Sequence, residues 1–170
     1  MVSRKCILAL MLAVVFIFGC SAPSFAVNTQ YATTHAFLDV LNDKDIRYSY
    51  VGIDNDDDEN VTVSFKGDYK DTLKVNIYFN AEQDAVNMYI WNLIDFDESD
   101  YNSVLRTVNE VNSNYKYSTT CIDTNDWSVT VKFTMPIRSS SICGEMVEEE
   151  LQLLVNVADE AYDMLRSYAK

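Results

Sequence analysis

The chain has 170 residues, 26 of them acidic against 13 Lys and Arg, and one His, for a formal charge of −13. Such a surface repels nucleic acid and anionic lipid and excludes both as partners of its bulk surface. Its 48% apolar and 12% aromatic content is too high for a disordered chain.

Arg4 and Lys5 precede an apolar run over residues 6–18. A short basic region followed by about a dozen apolar residues is the pattern of a secretory signal peptide. The run is shorter than the ~20 residues that span a bilayer, so no membrane span is expected. Ser24 and Ala26 supply the small side chains that signal peptidase requires before a cut at Val27. Residues 1–26 therefore read as a signal peptide and 27–170 as a single domain. An alternative cut lies before Cys20, where a lipid would tether the protein to a membrane face; the bulky Phe18 weighs against it. Both routes make the protein exported, either secreted or extracytoplasmic. All 26 acidic residues but only 11 of the 13 basic ones follow Ala26, a balance of −15.

Tyr31, Thr34, Leu38 and Leu41 recur at steps of three and four, which predicts a helix capped by Asn28 or Thr29. Three alternating segments follow: Ile46, Tyr48 and Tyr50; Val61, Val63 and Phe65; Leu73, Val75, Ile77 and Phe79. Each reads as a strand with one apolar face. Residues 86–94 are apolar with less alternation, the pattern of a strand covered on both faces. Tyr101, Leu105, Val108 and Val111 predict a second helix, capped by Asp97 or Ser99.

Two more strands alternate through Tyr115, Tyr117, Thr119 and Cys121, and through Val129, Val131, Phe133 and Met135. "TNDW" forms the turn between them, and Pro136 ends the second. Residues 142–170 predict one long helix with a stripe at Val147, Leu151, Leu154, Ala158, Tyr162 and Leu165. A second set, Met146, Leu153, Val157 and Met164, lies about 100° further round, at 100° per residue. So wide an apolar arc fits either a helix sunk deep in its own core or one with a partner surface at the second set.

The chemistry-bearing residues are few. His35 has no Ser or Cys nucleophile motif and no metal-ligand spacing beside it, so no catalytic residue is assigned and no enzymatic role is expected. Gly52, Gly67 and Gly144 are scattered, which is the wrong arrangement for a phosphate-cradling loop, and no cofactor is implied. Asn109 and Asn112 share a helix face; Asn112 reads as a helix-end residue in the left-handed conformation and Asn109 as a partner for nearby backbone.

The run from Asp54 to Glu59 carries five carboxylates in six residues. Asp54, Asp56 and Asp58 fit the first, third and fifth positions of a calcium loop. Glu59 stands where that loop needs Gly, and Phe65 where it needs the closing Glu. The three Asp are therefore weak metal candidates on a hairpin tip. Cys121 and Cys143 make an even number of cysteines in an oxidising compartment, so a disulfide is open.

The order helix, four strands, helix, two strands, long helix resembles the YbjN family, described as bacterial sensory transduction regulators. The matching segments are "AFLDVLNDKDIRYSY" (36–50), "LRTVNEVN" (105–112, with Asn109 and Asn112) and "VTVKFTMP" (129–136). The likeness spans about residues 30–168. It implies an α+β fold like that of type III secretion chaperones, with an antiparallel sheet of about six strands, and it brings no catalytic residues. The export signal departs from the family, many of whose members look cytoplasmic. The expectation is an exported, non-enzymatic protein-binding module, chaperone-like or regulatory, able to form a homodimer through a sheet edge or the last helix. The alternative is an extracytoplasmic sensor for a small ligand or calcium.

Overall fold

Strict alternation of apolar and polar residues gives strands that bury one face, and such strands pair into a sheet whose second face meets solvent. The computed structural model describes residues 27–170 and follows this rule. The signal peptide and the lipid site at Cys20 lie outside the described residues. The elements are α1 (Ala32–Asp43), β1 (Tyr48–Ile53), β2 (Glu59–Phe65), β3 (Leu73–Phe79), β4 (Ala85–Asp95), α2 (Tyr101–Asn114), β5 (Thr119–Asp123), β6 (Ser128–Pro136) and α3 (Ser140–Leu165). A short 3-10 turn precedes α2 and another follows α3.

All strand pairs are antiparallel, in the order β1-β2-β3-β4-β6-β5. The fold is α+β, as the pattern implied. The helices lie over one face, where Val61, Val75, Ile77, Met88, Val129 and Val131 are buried beneath Leu151, Leu154 and Ala158 of α3. α1 packs on α3 and reaches the sheet through Phe37, whose ring lies 5.6 Å from that of Phe79. Beyond the second 3-10 turn the Lys170 amide donates to the Asp95 carbonyl at 3.0 Å, and its ammonium pairs with Asp97 at 3.1 Å.

Several expectations need correction. β4 is covered on one face only. Val86, Met88 and Ile90 point inward, Tyr89 is half-buried and Trp91 is half-exposed. The alternation breaks because the register with β6 shifts between Ile90 and Ile94, where Asn92 takes φ 48°. This bulge turns Leu93 and Ile94 into the core together and makes the sequence look apolar throughout. α2 buries Val104, Val108 and Val111, leaving Leu105 half-buried, and neither Asp97 nor Ser99 caps it by a side-chain bond. α3 begins two residues earlier than the periodicity indicated and stops at Leu165.

The Gly67 turn shows how the last helix fixes a distant loop. Asp159 is buried on α3, and its carboxylate accepts from the amides of Asp68 (2.7 Å), Tyr69 (3.2 Å) and Lys70 (2.9 Å) between β2 and β3. A Cβ on Gly67 would stand 2.1 Å from Asp159 Oδ1, so glycine is what admits the carboxylate. Asp159→Ala and Gly67→Ala should each cost about 2 kcal/mol, the usual cost of stranding buried amides. The double variant should cost much less than the sum, because both changes break one cluster. Denaturant unfolding of the three variants checks this; strict additivity would contradict it.

Candidate binding surfaces

The acidic run divides into two parts with different jobs. Asp54–Asp58 form a turn in which Asp54 Oδ1 accepts from the amides of Asp56 (3.0 Å) and Asp58 (3.1 Å). Asp57 takes φ 62° there. The Asp58 carboxyl is pushed up by burial, then by Asp54 and Asp56. The Asp54 oxygen that would face an ion thus already holds the loop together. Among the described residues no group of three or more His, Cys, Asp or Glu side chains is placed to hold a metal ion.

Glu59 is no part of that turn. It is the first residue of β2, wholly buried and pointing inward. Its oxygens accept from the amides of Gln30 (2.7 Å) and Tyr31 (3.0 Å) and from the Tyr50 hydroxyl. These amides lie just before α1, so a carboxylate from the sheet fixes the chain as it enters the helix. The first helical amide, that of Ala32, donates to Gln83 Oε1 at 2.8 Å; neither Asn28 nor Thr29 is the N-cap, which is Tyr31. Burial pushes its carboxyl upward, but the neighbouring Thr34 hydroxyl, the Tyr50 hydroxyl and the two amides outweigh this and hold it below the ordinary glutamate value. The Tyr50 phenol is raised to about 12, by burial and then by Glu59.

The two cysteines stay apart. Cys121 pairs with Thr130 on the open side of the sheet, and Cys143 lies on α3 with its thiol on the Thr33 carbonyl at 3.4 Å. Both are free thiols on opposite sides of the sheet, so the open disulfide is not formed; the spacing of two cysteines in sequence carries no information about the face each occupies. His35 is exposed and pairs with Asp39 one turn on, at 3.0 Å. Asn109 is exposed. Asn112 does more than end a helix. Its amide donates to the Thr120 carbonyl (2.9 Å) and accepts from the Thr120 amide (2.8 Å), so it pairs with the β5 backbone as a neighbouring strand would. The residue that ends α2 is Tyr115, in extended conformation, so β5 begins only at Thr119 and the alternation at Tyr115 and Tyr117 belongs to the connection before it.

The second apolar set on α3 also divides. Met146 and Leu153 are 42% and 40% exposed, and Ile142, which sequence reasoning left out of the set, is 57% exposed. Val157 is buried and Met164 half-buried. Ile142, Met146 and Leu153 fall on one line of the helix with Glu149 among them. Beside Leu153, a shallow groove of about 230 Å³ opens toward residues 114–118, where Tyr117 is 71% exposed. Tyr115 closes its end by donating its hydroxyl to Glu160; burial first, then Glu160, raises this phenol to about 12.

The open face of the sheet carries the half-exposed Trp91 and the half-buried Tyr78 and Tyr89. Tyr89 and Trp91 stack with ring centres 4.3 Å apart and planes 4° from parallel, and Tyr78 meets Tyr89 edge-on at 5.7 Å. A cleft of about 280 Å³ runs beside the stack, floored by Thr130 and Lys132 of β6 and bounded by Cys121 and Asp123 of β5.

Taken together, these features define a two-layer α+β module with an apolar row on α3 and an aromatic row on the open face of its sheet. No family model matches the chain, and no curated protein matches it. Among the solved structures it is similar to is that of YbjN, described as a transcription regulator from E. coli, with a TM-score of 0.49 and 10% identity. That match covers 76% of this chain and 91% of the other.

Proposed function

We propose that the chain is an exported, non-enzymatic module, chaperone-like or regulatory, that binds a polypeptide along the outer line of α3. The carrying observation is the row Ile142, Met146 and Leu153, exposed on a helix whose opposite side fills the core. Apolar side chains this large are ordinary on a surface when single; aligned beside a groove they favour a docked partner. Glu145, Glu149 and Glu160 flank the row and are exposed, which favours a partner segment that is apolar with basic neighbours. Export rests on the basic and apolar pattern of residues 1–26.

The test is photocrosslinking from position 153 in the native host, with light scattering of the purified protein. A crosslinked polypeptide, or a second copy of this chain, is the expected product. The pair Met146→Asp and Leu153→Asp should abolish it while leaving the melting temperature within about 2 °C, because both side chains are partly exposed. A strict monomer that crosslinks to no polypeptide overturns the reading.

A further inference from the structure

The open face of the sheet differs in charge from the rest of the molecule. The chain holds 26 acidic residues, yet the outward positions of β2, β3 and β6 carry Asn, Ser, Thr, Lys and Tyr and no carboxylate. The register across the central strands shows this directly, pairing Tyr78 with Asn87, Asn76 with Tyr89 and Tyr89 with Lys132. Hydroxyl and amide groups stand beside the rings, as where Thr134 donates to Asn87 Oδ1 at 2.8 Å. Trp91 is half-exposed, and the bulge at Asn92 sets it at the end of the aromatic row, beside the cleft over β6.

We propose that this face is a glycan-docking site, in which a neutral polysaccharide lies in the cleft over β6 with a sugar ring against Trp91. Each part of the site matches one property of such a ligand. The C–H bonds of a sugar ring present weakly positive hydrogens, which the negative face of an indole attracts. Its hydroxyls both donate and accept, and Thr130, Lys132 and Asp123 at the cleft offer donors and acceptors of both kinds. The cleft is shallow and solvent-open rather than an enclosed cavity, which suits a ligand lying along the sheet.

Charge and backbone geometry argue against the other long ligands. A nucleic acid would have to approach a molecule of net charge −13. An added polypeptide strand needs unpaired main-chain amides, whereas those of β6 are already bonded to β4 and β5 on its two sides. A neutral polysaccharide meets neither obstacle, and it needs side-chain contacts only. The site is separate from the α3 row, which lies across the sheet.

The test is affinity gel electrophoresis of the purified protein in gels cast with hydroxyethylcellulose, glycol chitin, soluble starch or galactomannan. At least one should retard the wild type. Trp91→Ala should weaken that interaction by about tenfold, the loss expected for one stacked ring, while the protein stays folded with a melting temperature lowered by only about 2–6 °C for the lost Tyr89 contact. Trp91→Tyr should restore part of it, and the pair Met146→Asp and Leu153→Asp should leave it intact. Lys132→Ala should weaken it independently of any effect at Trp91. Wild-type mobility unchanged in all four gels overturns the proposal, and so does retardation that survives Trp91→Ala.

Discussion

Gly144→Ala should lower the free energy of unfolding by about 3 kcal/mol, the upper end of the usual cost of overpacking. The new Cβ would stand 2.2 Å from the Ala36 carbonyl oxygen and 3.0 Å from Val40 Cγ2. That oxygen belongs to the backbone of α1, so it cannot swing aside as a flexible side chain would. The Cys143 thiol, 3.4 Å from the Thr33 carbonyl, shows the same close approach one residue away. Alanine is the better helix former by about 1 kcal/mol, and this gain opposes the clash. The sign therefore decides between the two effects. Chemical denaturation measures it, and a variant as stable as the wild type would mean that α1 and α3 can separate at no cost.

Glu59→Ala should be comparably damaging, by about 3 kcal/mol, since it strands buried donors that now meet a carboxylate. Glu59→Gln keeps the shape but brings an amide N–H toward donors, and should cost roughly 1–2 kcal/mol. The pH dependence distinguishes a charge effect from a packing effect. Glu59 has a carboxyl pKa lowered in the folded protein. Its contribution is complete above the ordinary glutamate value and is lost as pH falls through the lowered one. The stability gap between wild type and Glu59→Gln should therefore narrow in that acidic window and stay constant above it. A gap independent of pH would place the cost in packing.

What the sequence discloses follows from how local each cause is. β2 and β3 are legible because every second residue, from Val61 to Phe65 and again from Leu73 to Phe79, reports the buried face by itself. The arc on α3 is legible in the same way, and Met146 and Leu153 do stand exposed. Val157 is buried because it sits at the groove with residues 114–118, a neighbour that no helical period can reveal. The role of Glu59 is hidden for a related reason. It reads as the end of a charge run, while its partners, Gln30 and Tyr31, lie almost thirty residues away. The Tyr89–Trp91 stack was the more accessible signal: a Trp on the polar phase of a strand, masked by the bulge that follows it.

The placement of α3 has a consequence for the order in which the molecule can assemble. α1 and the β1–β4 meander come early in the chain, and β6 must cross to the far side of β4 before that strand is paired on both edges. Even then the apolar face of the sheet stays wet until α3, the last of the strand-covering elements, folds down on β3, β4 and β6. Partly synthesised chains hold no finished core, and a chain lacking α3 should collapse loosely, with its sheet face open to aggregation. Folding is thus gated by the arrival of the final helix, whose carboxylate at Asp159 fastens the β2–β3 turn as it docks.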